Sequence, residues 1–364
     1  MTTGTLDRPP GRGPGFAGAS LDPQETSSPD APASHYRLWL ASKLPPGEVE
    51  ACREAQARAY ASDEHRLASI RNCRTGARFV RHRTTGELRI AARSCHDRWC
   101  PFCASTKTHR IAEGLGRWLR GLARRTLLTL TLTSTDRDLR AEIGRLIQCF
   151  RALRRRPEWR DAVKGGVWCV QITYNPETGR WHPHVHIAME ARYLWQRTIS
   201  RLWHDVTGDS KIVDIRRIRN ADYGARYVAR YVGKPVVLSE LPIVRRVEII
   251  AALAGQHMYG AFGTACGAKV LSRPPFERAD WQDVGTWGTV VGLLGSSETA
   301  RTIWSCWRTH TPLPEGFDLS AVDLGIDLPG FSQDSSRSSS RVHCAHIAPA
   351  SASLFPDHTP AYTG

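Results

Sequence analysis

The chain has 364 residues, enough for one large domain or two ordinary ones, and carries 50 Lys+Arg against 35 Asp+Glu for a formal charge of +15. No apolar run is long enough to span a bilayer, and the start, MTTGTLDRPPGRGPG, lacks the apolar stretch of a secretion signal, so the expectation is a soluble, cytoplasmic protein with no membrane partner. Ten cysteines in that compartment read as metal ligands or isolated thiols rather than a disulfide framework.

In chain order, residues 1–35 are rich in Pro, Gly, Ser and Thr and are expected to be disordered. RFVRHRTTGELRIAARS reads as a hairpin leading into CHDRWCPFC, and 65–110 is taken as one cysteine module. Residues 104–124 predict a basic amphipathic helix, and LLTLTLTST at 127–135 a strand with Thr at alternate positions. A second helix covers 136–156 and a strand 166–175; NPETGR is a turn, and WHPHVHIAME the hairpin partner. A helix at 193–206, a strand at 211–218 and a helix at 221–232 follow. The resulting β-α-β-β-α-β-α order predicts an α+β domain over 111–240, a central antiparallel sheet flanked by helices in a ferredoxin-like manner. Residues 241–330 are an accessory region of mixed character, and 331–364, beginning near SQDSSRSSSRV, a disordered tail. Arginine-rich clusters at 117–125, 151–156, 216–219 and 226–234 fall inside structured segments, which argues for a shaped surface facing nucleic acid.

Three constellations carry chemistry. Cys95, Cys100 and Cys103, with Cys73 across the hairpin, can close a tetrahedral Zn²⁺ site, His96 or His109 being able to replace one thiolate. His182, His184 and His186 alternate, so a strand turns all three to one face; His184 and His186 are the pair suited to one divalent ion. Pairing across NPETGR sets Gln171 and Thr173 opposite them, and the Gln171 carbonyl can bind the same ion. Finally, ADYGARYVARYVGKP spaces Tyr223, Tyr227 and Tyr231 by four residues, with Arg226, Arg230 and Lys234 beside them. A phenol with pKa near ~10 is only about a thousandth ionised at neutral pH, and adjacent cations would favour the phenolate. Trp168, Tyr174 and Trp181 near the metal strands are candidates to stack on unpaired bases, and Arg151–Arg156 and the 104–125 helix to contact phosphates.

Taken in order, CHDRWCPFC, LLTLTLTS, QITYN, HPHVH and ARYVGK resemble the rolling-circle plasmid replication initiators of the HUH endonuclease superfamily, over roughly residues 70–265. The resemblance implies an HUH-type nuclease core at 111–240, preceded by a zinc module. It implies a nickase of single-stranded or hairpin-extruded origin DNA in which His184 and His186, with Gln171, hold Mg²⁺ or Mn²⁺. Tyr231 would attack the scissile phosphate, giving a 5′-phosphotyrosine link and a 3′-hydroxyl primer, and the strand would later be rejoined. A host helicase and a DNA polymerase are the implied partners, and assembly of an oligomer on DNA is compatible with it. Two positions depart from the family pattern. Gln171 stands where many relatives have Glu, and Tyr227 where some have a carboxylate one turn before the nucleophile. Tyr227 then reads as a second tyrosine that exchanges the strand with Tyr231. Arg230, where relatives often show Lys, keeps the charge.

Two other readings share parts of this pattern. An HUH-type transposase also pairs cysteines with H-x-H and Y-x3-Y, though the spacing around QITYN and ARYVGKP favours the initiator. A non-catalytic, zinc-dependent DNA-binding regulator is favoured only by the replacement of Glu at Gln171.

Overall fold

A computed structural model describes residues 35–134, 138–272, 277–317 and 343–345. The segments expected to be disordered fall outside these, apart from His35 and the short 343–345 stretch.

The chain opens with helices α1 (His35–Ala41), α2 (Glu48–Ala59) and α3 (Glu64–Arg71), none of which the sequence reading had assigned. The hairpin β1 (Arg78–His82) and β2 (Leu88–Ala92) leads to α4 (Pro101–Arg120), with proline at its first turn where no N–H is needed. Then come β3 (Arg125–Thr131), α5 (Leu139–Leu153), α6 (Pro157–Ala162), β4 (Val163–Asn175), β5 (Arg180–Ala191), α7 (Gln196–Thr207), β6 (Val213–Arg217) and α8 (Ala221–Gly233). The chain closes with α9 (Ile243–Ala252), β7 (Tyr259–Gly263), α10 (Thr264–Gly267), β8 (Trp281–Thr286), α11 (Trp287–Gly292), α12 (Glu298–Thr309) and β9 (His343–Ala345). The expected element order over 104–232 is present, with one addition: Pro157 stops the preceding helical turn and starts α6.

Among the described residues every strand pairing is antiparallel, in a large sheet of order β6-β3-β5-β4-β7 and a smaller one of order β8-β1-β2-β9. Alternation divides the large sheet cleanly. Leu128 and Leu130 of β3, Val170 and Ile172 of β4, and Val185, Ile187 and Met189 of β5 pack with α5, α7 and α9 in the main core. The opposite face carries Val167, Cys169 and Ala188, covered by Ile111, Leu115 and Leu119 of α4 and by α8. Each fully buried Leu, Ile, Val or Met among these contributes roughly 1.5–3 kcal/mol.

A third core gathers Tyr36, Phe79, Trp287 and Trp307 beside Cys73 and Cys100. Here the cysteine segment and the C-terminal accessory region prove to be one structural unit, because β1 pairs with β8 from Arg78↔Thr286 to His82↔Trp281. Three aromatic residues considered for base stacking lie elsewhere than expected. Trp168 meets Phe150 at 5.9 Å, and Trp181 packs on Tyr174 at 4.9 Å while donating to Glu248 at 2.8 Å. Trp181 belongs to the main core and Trp168 and Tyr174 pack against it, on the face of the sheet away from the histidines.

Candidate active site and cysteine metal centre

The ladder sets His184 opposite Thr131 on one side and Gln171 on the other, and His186 opposite Thr129 and Cys169. Because the strand alternates, His182, His184 and His186 share the face covered by α4 and α8. Each of the two inner imidazoles is held by a threonine of β3. Thr131 Oγ1 lies 3.0 Å from His184 Nδ1, and Thr129 Oγ1 3.0 Å from His186 Nδ1. This fixes the rings and leaves the Nε2 atoms facing β4, where Gln171 Oε1 sits 2.6 Å from His186 Nε2 and Thr173 Oγ1 3.3 Å from His184 Nε2. Burial, reinforced by His182, pushes His184 down to about 4; burial, with His184 and Arg230, pushes His186 down to about 3. Both are therefore neutral near pH 7, the state a metal ligand needs. His182, whose value is also lowered by burial and Arg180, faces Thr173 across the ladder.

The tyrosine helix is laid over this strand by close packing on α4. Asn220 caps α8 by accepting from the Tyr223 N–H at 3.0 Å. At its other end Gly233 touches α4 so closely that a Cβ would overlap Thr108 Oγ1 and lie 2.9 Å from the Ala104 carbonyl oxygen. The result is a compact aromatic cluster. The Tyr231 ring stacks on His186 with centroids 4.7 Å apart and planes 14° apart, and Tyr227 meets the same imidazole edge-on at 5.5 Å. The two tyrosines are 5.4 Å apart. Arg230 donates to the Tyr231 hydroxyl at 2.5 Å, with its guanidinium 4.7 Å from that ring and 5.5 Å from Tyr227. Burial, and the neighbouring Tyr231, push the Tyr227 phenol above its ordinary value.

The rest of the stripe divides. Tyr223 is 67% exposed and points out of the cluster, and Arg226 is exposed. Lys234 is engaged instead by a carboxylate that sequence reasoning did not single out: its Nζ lies 2.9 Å from Glu48 Oε1 on α2, where Glu48 also accepts from Ser239 at 2.8 Å. Glu48 is buried, so this pair ties the end of α8 to α2. Thr129 and Thr131 were visible in LLTLTLTS as alternating threonines, and that alternation was the signal that they share the histidine face. Nothing local in the sequence marks Glu48.

The four predicted cysteines converge. Cys73 follows α3, Cys95 follows β2, and Cys100 and Cys103 begin α4; their sulfurs all lie within 4.8 Å of one another. Individual separations are 3.6 Å for Cys73–Cys103, 3.6 Å for Cys73–Cys100 and 3.7 Å for Cys95–Cys103. A tetrahedral ion with metal–sulfur bonds of about 2.3 Å requires sulfur–sulfur edges of about 3.8 Å, so the group could hold a metal such as zinc with little adjustment. Hydrogen bonds from Cys100, Cys73 and Cys95 hold the Cys103 thiol far below its ordinary value, and Arg74 adds to this. Arg74 is buried and donates to Thr106 at 2.8 Å, while its Nε and Nη1 have no hydrogen-bond partner. A buried cation beside four thiols is the counter-charge that a thiolate centre calls for. The two imidazoles considered as substitutes stand outside this group of four. His109 pairs with Glu113 at 3.3 Å.

A family model described as "Replication protein" matches residues 87–261, from the turn before β2 into β7. A Staphylococcus aureus protein named Protein rep is 30% identical over 190 residues, covering 47% of this chain and 83% of its own. The chain belongs to the replication-protein (Rep) family of plasmid replication initiators. Two further Rep proteins are more distant. One from Streptococcus pneumoniae is 26% identical over 196 residues, and one from a Bacillus species 28% identical over 176. The chain spans 61% and 56% of their respective lengths. No solved structure matches. The matched stretch contains the histidine strand, the tyrosine helix and three of the four cysteines, whereas Cys73 precedes it. Among the described residues no helix is long and apolar enough to cross a membrane.

Proposed function

We propose that this Rep protein starts rolling-circle replication of its plasmid by nicking single-stranded or hairpin-extruded origin DNA with Tyr231. The observation that carries the reading is the stacking of Tyr231 on His186 at 4.7 Å with Arg230 bonded to its hydroxyl, which brings a nucleophile, a cation and a candidate metal ligand together. The strand order β6-β3-β5-β4, with α5 and α7 on one face, supports a ferredoxin-like, HUH-type core.

His184, His186 and Gln171 would hold Mg²⁺ or Mn²⁺, and their neutral, buried rings suit that role. When bound, the ion would polarise the scissile phosphate. His184, His186 and Gln171 are all uncharged donors, so the charge of a bound ion would be offset by the DNA it activates rather than by the protein. Arg230 stabilises the developing phenolate and the charge on the phosphorus centre. As the Tyr231 oxygen bonds to phosphorus, the bond to the 3′-oxygen breaks. The phenol's proton leaves to solvent as the new bond forms, the departing oxygen takes up one proton from solvent as the 3′-hydroxyl primer, and the 5′-phosphate stays on Tyr231. Tyr227, one helical turn away, is the second acceptor for strand exchange and rejoining. Arg226 and Arg230 contact the DNA backbone, while Lys234 serves to anchor α8 through Glu48. The cysteine centre takes Zn²⁺ as a structural ion. Helicase and polymerase of the host act on the nicked product.

The test is cleavage of a labelled single strand from the replicon's own origin with Mn²⁺ present. The wild type is expected to cleave, and His184→Ala and His186→Ala to lose cleavage while still melting cooperatively, at a lower temperature because each leaves a cavity. Cleavage that persists in both variants would remove the metal from the reading.

A further inference from the structure

The large sheet ends at β6, whose outer side pairs with no strand among the described residues. The bonds at its two ends fix which way its backbone groups point. Thr131 N–H donates to the Ile212 carbonyl at 3.2 Å, and Ile218 N–H to the Arg125 carbonyl at 2.9 Å. Asp214 and Arg216 are in phase with these and turn their N–H and C=O groups to β3. Val213, Ile215 and Arg217 therefore turn theirs outward. Gln196 Nε2 covers the Val213 carbonyl at 3.1 Å, and Ile215 and Arg217 face no partner strand among the described residues.

Apolar side chains gather along this edge. Of the seven exposed large apolar residues among those described, three flank β6. Ile212, 66% exposed, directly precedes the strand. Trp195, also 66% exposed, caps α7 next to Gln196, the residue bonded to Val213. Tyr193, 73% exposed, meets the Trp195 ring edge-on at 4.9 Å. Leu194 between them is buried in the main core and anchors the segment that carries both rings. An exposed Tyr–Trp pair on an anchored backbone has the composition of a protein-interface centre. Four such rings from two chains would bury about 400–700 Å², a large share of the about 1,200 Å² of a small specific interface.

The charge order of β6, VDIRR, selects the partner. Asp214 and Arg216 share one face of the strand and pair within the chain at 2.8 Å, Arg216 being exposed. Two copies of β6 placed antiparallel about Ile215 set each Asp214 opposite the partner's Arg216, whereas parallel copies in register set like charge on like. In that antiparallel pair Ile215 exchanges both backbone bonds with its own copy, as its outward N–H and C=O require. Arg217 comes level with the partner's Val213, beside the partner's Trp195, where a guanidinium can lie over an indole. We propose that β6 is a self-association edge, through which two copies of this chain join their five-stranded sheets into one about a two-fold axis at Ile215. That axis is perpendicular to the joined sheet, so the histidine faces of both copies look the same way. The assignment is independent of the nicking chemistry.

The experiment is sedimentation equilibrium of the full-length protein without DNA, for wild type, Asp214→Arg, Arg216→Asp and an equal mixture of the two variants. Wild type is expected to dimerise. Each variant alone sets like charges opposite one another at both ends of the strand pair and is expected to weaken the dimer about tenfold or more. Both should melt as wild type does, because an exposed pair within one chain contributes little to the fold. The mixture is expected to associate again, since one chain then carries two arginines on this face and the other two aspartates. Neither chain is repaired in the mixture, so its recovery reports a contact between chains rather than a restored fold. A wild type that stays monomeric, single variants that associate as tightly as wild type, or a mixture that stays monomeric would each overturn the assignment.

Discussion

Replacing Gly233 with alanine should loosen the contact that seats the tyrosine helix. The added methyl overlaps Thr108 Oγ1, which can rotate away, and lies 2.9 Å from the Ala104 carbonyl oxygen, which cannot. Restoring an ordinary contact of 3.4 Å requires α8 to withdraw by about 0.5 Å. Overpacking of this kind costs about 1–3 kcal/mol, against a gain of about 0.5–1 kcal/mol from alanine's better helix propensity. The net loss of about 1–2 kcal/mol corresponds to a fall in melting temperature of about 2–8 °C. Tyr231 is two residues away, and because a shift of about 1 Å can reduce a rate about a hundredfold, half of that predicts a loss of about tenfold in nicking. Thermal melting and single-turnover nicking on origin single strand measure both. Adding Thr108→Ala should recover only part of the loss, since the carbonyl remains. A Gly233→Ala protein that melts and nicks like wild type would show that the α4–α8 contact does not position Tyr231.

Other consequences can be measured on the same preparation. Purified chain should contain one zinc by elemental analysis, and Cys103→Ser should lose it and melt earlier; an unchanged metal content would exclude the four-cysteine site. Gln171→Glu adds a charged donor 2.6 Å from His186 Nε2, so Mn²⁺ should bind more tightly by calorimetry, and equal or weaker binding would take Gln171 out of the ligand set. Acid should destabilise the fold through the buried histidines. Their folded values of about 4 and about 3 lie below the ordinary 6.5, so stability is full above pH 6.5 and declines as pH falls toward 3. The slope approaches about 1.4 kcal/mol per pH unit for each histidine. Urea unfolding across that range, compared with His186→Gln, should show a shallower slope in the variant, and identical slopes would contradict burial as the cause.

Much of this was legible because it is local. Period-two alternation put the histidines on one face, and NPETGR placed Gln171 and Thr173 across from them, the structure setting the register at Gln171 facing His184 and Thr173 facing His182. Four-residue spacing aligned Tyr227 and Tyr231, and the cysteine spacing anticipated a cluster of four. What escaped depends on contacts between distant segments. The Glu48–Lys234 pair spans from α2 to α8, and nothing near Lys234 announces that its charge is already engaged. β8 pairs with β1 across some two hundred residues, so 281–286 carried no sign of its sheet. Trp168 and Trp181 alternate out of phase with the histidines, which was enough to assign them to the opposite face, but proximity in sequence suggested otherwise. Gly233 reads as a helix terminator, and only the approach of α4 gives it a further reason to be glycine.

The central claim is that the Tyr231 oxygen becomes covalently joined to DNA, and mapping that bond tests it most directly. Wild-type protein would be incubated with origin single strand and Mn²⁺, digested with protease and nuclease, and the nucleotide-bearing peptide sequenced by tandem mass spectrometry. The account predicts a 5′-phosphonucleotide on Tyr231 in wild type and none there or on Tyr227 in Tyr231→Phe during the first cleavage. A modified residue elsewhere, or an undiminished adduct in Tyr231→Phe, would contradict it.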